Sequence, residues 1–77
     1  MAPFKLQQRR SEAIEFLIKA EKQKMTADKL FESIPSETVE RSLIANQSRA
    51  LFYLIRALKI RISLYEMLIE QERKSKS

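Results

Sequence analysis

From Ile44 onward, residues recur along one helical stripe in alternating steps of four and three: Ile44, Ser48, Leu51, Ile55, Leu58, Ile62, Tyr65 and Ile69. That spacing is the a/d repeat of a coiled-coil-like contact. The same stretch carries a second seam with the same steps, Tyr53, Ala57, Ile60, Leu64 and Met67. At about 100° per residue the two seams point roughly 160° apart, so one partner helix cannot cover both. The pattern predicts a helix packed on two sides, with another copy of the chain as the simplest second partner.

An earlier seam reads Ala13, Leu17, Ala20, Lys24, Ala27, Phe31 and Ile34, flanked by Ile14, Phe16, Ile18 and Leu30. Between the two patterns lies Pro35, which disfavours the α conformation at Ile34 and cannot continue a helical hydrogen-bond ladder. With no glycine and only Pro3 and Pro35 as breakers, two long helices joined by one turn are the economical parse. The expected fold is an all-α helical hairpin, one domain over residues 1–77. Helix 1 would span about 3–31, the turn 32–36 and helix 2 about 37–74, with a frayed tail over 73–77. Ser36 is the expected N-cap of helix 2, with Glu37 and Glu40 against the positive end of its dipole. Thr26 and the cluster Asn46, Gln47 and Ser48 are the points where either helix would break, if it does. The first seam of helix 2 keeps its phase through the second of these points, which favours an unbroken helix.

Size makes association more pressing. A chain of 77 residues buries only roughly 60% of its unfolded surface, and with no Cys and no His it has neither disulfide nor zinc to compensate. The expected assembly is an antiparallel homodimer forming a four-helix bundle, with Tyr53, Ala57, Ile60, Leu64 and Met67 as the protein interface. Another helical protein is the alternative occupant of that seam. Polar residues near the seams, including Ser48, Arg61 and Lys24, can fix register or simply snorkel to water.

Charge adds a second candidate surface. The net charge is +5, and no acidic residue lies between Glu40 and Glu66, an interval holding Arg41, Arg49, Arg56, Lys59 and Arg61. On a helical wheel Arg41, Arg49, Arg56 and Lys59 fall in a sector of roughly 80°, a row ~27 Å long. Doubled in a dimer, such a stripe is suited to following the phosphates of double-stranded RNA or DNA, which needs cations but no base-reading motif. In layout alone, without a shared motif, such a dimer resembles small helical viral silencing suppressors that bind RNA. The bland reading is that these cations form a solvated face that keeps the oligomer soluble. Phe52 and Tyr53 are expected to be packed, which argues against single-strand binding by base stacking.

The remaining function classes have little to recommend them. A basic amphipathic segment, Phe4, Leu6, Ile14, Leu17 and Ile18 with Lys5, Arg9, Arg10 and Lys19, has the composition of a membrane-surface helix. Glu12 and Glu15 interrupt its polar face, however, and packing on helix 2 explains its apolar one. No run is apolar enough for a signal peptide or a membrane span, so an intracellular, soluble protein is expected. Catalysis lacks its usual base, thiol and metal ligands, and no Gly-rich loop is present to hold a phosphate. The expectation is a non-enzymatic interaction module with no cofactor and no metal. It would act as an adaptor, chaperone-like or regulatory protein, with duplex binding as the alternative.

Overall fold

A computed structural model describes the backbone of residues 3–75 and the side chains of residues 5–75. It is an all-α hairpin. Helix α1 spans Pro3–Ser33 and helix α2 spans Val39–Ser75, and the pair packs antiparallel into a rod of 60 × 14 × 14 Å. Both helices are continuous. Thr26 caps nothing, because its hydroxyl donates back to the Lys22 carbonyl at 3.1 Å within α1. Asn46 likewise lies inside α2.

Both seams expected to form the hairpin contact do so. The α1 seam begins earlier than the sequence reading placed it, since Leu6 is buried and Arg10 half-buried in the same phase. Leu6, Ala13, Ala20 and Ala27 are therefore four buried residues at seven-residue spacing. A methyl group at three successive layers lets α2 approach closely and seats the larger Leu51 and Leu58, with Leu17, Ile44 and Ile55 packed against that cluster. The resulting core is thin. Among the described residues its only buried large side chains are Leu6, Leu51 and Leu58, each worth roughly 1.5–3 kcal/mol on burial, and none of the described large side chains is completely enclosed.

The turn departs from expectation at both ends. α1 runs two residues further, to Ser33, and α2 begins at Val39, so residues 34–38 make the connection. Thr38, not Ser36, is the N-cap: its Oγ1 accepts the Arg41 N–H at 3.3 Å, and its hydroxyl donates to the Pro35 carbonyl at 3.0 Å. One hydroxyl thus satisfies an orphan helix donor and pins the turn, which Ser36, two positions before the end of the turn, cannot do. At the other end α2 continues through Ser75, past residue 73 where fraying was expected, while Lys76 and Ser77 of that tail lie outside the described residues.

Candidate interaction surfaces

The outer seam of α2 faces away from α1. Tyr53, Ile60, Leu64 and Met67 are 59%, 55%, 53% and 60% exposed, and Ala57 is exposed between them. Leu54 and Leu68, about half exposed, continue the apolar surface toward the hairpin groove. A run of large apolar side chains over four turns of one helix is more than the scattered exposure normal for a monomer. Phe52 and Tyr53, expected to be packed, are instead exposed, and their rings meet edge to face at a centroid distance of 5.7 Å.

The basic stripe divides into residues with different surroundings. Arg49, Arg56 and Lys59 are exposed, and among the described residues none of them makes an ion pair or side-chain hydrogen bond. Arg41 belongs elsewhere. Its guanidinium donates to the Ile34 carbonyl at 3.3 Å and lies 4.1 Å from the centre of the Phe31 ring. α1 has no basic residue in its own last turn, so Arg41 supplies from α2 the cation that the carbonyl end of α1 favours. Arg61 lies off the stripe, because it is two positions along from Lys59 and about 160° of helix therefore lies between them. It lines an open groove of about 450 Å³ on one side of the hairpin, together with Lys5, Arg9, Glu12, Phe16 and Tyr65.

On the opposite side the hairpin is tied by a polar cluster that the sequence reading did not assemble. Ser48 Oγ donates to Asp28 Oδ1 across the seam at 2.5 Å, and Lys24 Nζ meets Asp28 Oδ2 at 2.8 Å. Lys24 therefore ends on a carboxylate instead of snorkelling freely to water. The Lys24 hydrogen bond first and the Ser48 bond next hold the Asp28 carboxyl below the usual carboxylate range, against a smaller opposing effect of burial and with the Lys24 charge adding least. The available signal was a serine at a seam position of α2 and an aspartate at the rim of the α1 seam, beside Ala27.

In the segment considered for a membrane surface Leu6 is buried and Ile14 and Leu17 are half-buried against α2, while Ile18 is exposed and the side chain of Phe4 lies outside the described residues. No helix among the described residues is long and apolar enough to cross a membrane. Among the described residues there is also no group of three or more carboxylates placed to hold a metal ion. Comparison with protein-family models, with curated proteins and with solved structures finds no match for this chain.

Proposed function

We propose that this protein is a non-enzymatic helical interaction module that works through the outer face of α2, self-associating there as a homodimer and acting on partners as an adaptor or regulator. The observation that carries the reading is the exposure of Tyr53, Ile60, Leu64 and Met67 along one line of α2. The hairpin's own core is too thin to make this surface a tolerable ornament, and covering it adds the burial that a two-helix chain lacks. A square bundle in which α1 also enters the inter-chain core is disfavoured, because α1 offers that groove Lys5, Arg9, Glu12 and Lys19 beside Phe16. The contact is centred on α2. Replacing Ile60 and Leu64 together by Glu tests this: a fall to monomer mass in light scattering, with helicity retained, is the expected result. An unchanged mass would remove the assignment.

A second reading has its own observation. Arg49, Arg56 and Lys59 are exposed cations without partners among the described residues. They would meet the phosphates of a nucleic-acid duplex without reading its bases.

A further inference from the structure

We propose that a second copy of this chain lies antiparallel on the outer face of α2, about a two-fold axis passing between Leu58 and Lys59. The proposal rests on the self-association reading above and adds the direction and register of the contact.

The exposed seam, extended by one step to the exposed Ala50, is a short heptad pattern that is nearly its own mirror image about residues 58 and 59. With the axis there, Ala50 faces the partner's Met67, Tyr53 faces the partner's Leu64, and Ala57 faces the partner's Ile60. Two-fold symmetry repeats each layer. Each alanine meets a large side chain, which is the alternation that closes a helix pair without voids.

Charge selects this register from its neighbours. Arg49 comes beside the partner's Glu70 at both ends of the contact, and Arg56 beside the partner's uncharged Ser63. Glu70 already meets Arg73 at 3.7 Å on its own helix, but that pair is solvent-exposed and Glu70's side chain is 49% accessible, so its carboxylate can be reached by a second cation. A shift of one heptad in one direction sets Arg61 against its own copy, and a shift in the other direction does the same to Arg56. A parallel, in-register pair sets Arg56 against the partner's Arg61 twice. Only the antiparallel pairing about residues 58 and 59 combines an attractive edge with no like-charge contact. It also places Arg56 and Lys59 of both copies on one face, so the dimer carries two sets of these exposed cations side by side, while Arg49 is turned to the partner's Glu70.

The chain has no native cysteine, which makes disulfide trapping unambiguous. Chains carrying Tyr53→Cys and Leu64→Cys, mixed and oxidised, should form the mixed disulfide, while either variant alone should cross-link little. In a parallel pair each variant would cross-link to itself, and that outcome would overturn the proposal. Arg49→Glu should raise the dimer dissociation constant roughly tenfold by breaking two edge pairs, and the swap Arg49→Glu with Glu70→Arg should restore it. Light scattering of the same variants separates the two levels. A dimer without the mixed disulfide refutes the register and leaves the self-association reading standing, whereas a monomer refutes both.

Discussion

Ser48 and Asp28 are joined across the hairpin seam by a hydroxyl-to-carboxylate hydrogen bond, with Oγ and Oδ1 2.5 Å apart. A serine in a seam of Ile and Leu would be a poor choice for burial alone. Its value lies in the bond, which exists in one register only. Sliding α1 along α2 by one heptad would still set small residues against Leu51 and Leu58, because Ala13, Ala20 and Ala27 repeat every seven positions. The Ser48–Asp28 pair opposes the slide that would bring Pro35 to Ser48, and the opposite slide replaces Asp28 by the longer Glu21.

The pair makes hairpin stability depend on acid. The Asp28 carboxyl sits below its ordinary value of 3.8, so the folded state binds this proton less readily than the unfolded state. Its contribution is complete above pH 3.8 and drains away as pH falls through the lower folded value. Thermal melts followed by circular dichroism should show Asp28→Asn less stable than the parent at pH 7, with the gap closing well below that pH. A gap that persists undiminished under acid would mean that the carboxylate charge is not what matters.

Ala20 should tolerate nothing larger. It is 4% exposed and packs within the Leu51 and Leu58 cluster, so a leucine there would wedge the helices apart. Ala20→Leu is predicted to cost about 1–3 kcal/mol, read by urea denaturation at one fixed protein concentration. Leu58→Ala should cost more, about 2–5 kcal/mol, by emptying a site that the hairpin cannot collapse around. If Ala20→Leu is neutral, close approach of the helices at the alanine layers is not required.

The cap should be readable in the same assay. Thr38→Ala removes the acceptor of the Arg41 N–H and the donor to Pro35, for an expected loss of about 1 kcal/mol. Ser36→Ala should be nearly silent. Equal losses at the two positions would contradict the assignment of the cap.

The two parts of the basic row should separate by experiment. Arg56→Glu and Lys59→Glu together, which leave the Arg49 pairs of the dimer untouched, should sharply weaken any binding to a short RNA or DNA duplex at low salt while leaving helicity intact. Arg41→Ala should instead lower stability, since its guanidinium is committed to Ile34 and Phe31. Fluorescence anisotropy across a salt series provides the measurement. Absence of binding by the parent dimer at low salt would end the duplex reading.

Much of this architecture was legible in the sequence, because helical spacing is a local property. The four-three steps from Ile44 to Ile69 identified the buried stripe of α2, and Pro35 placed the turn. The turn's inner geometry was less legible: Ser36 and Thr38 have equal capping chemistry, and the choice between them depends on how α2 docks on α1. The contacts of Arg41 at the end of α1 were hidden for a related reason. Its place on the helical wheel matches Lys59, but its nearness to the end of α1 is a tertiary fact that no wheel contains. The Asp28 and Ser48 contact joins positions twenty apart and needed the hairpin register before it could be seen.

The most direct test of the central claim, that the outer face of α2 is covered by another copy of the chain, is light scattering of the unmodified protein over a range of concentrations. A covered face gives a mass of twice 9.1 kDa at working concentration, falling toward 9.1 kDa only on strong dilution. A mass of 9.1 kDa at every concentration would contradict it.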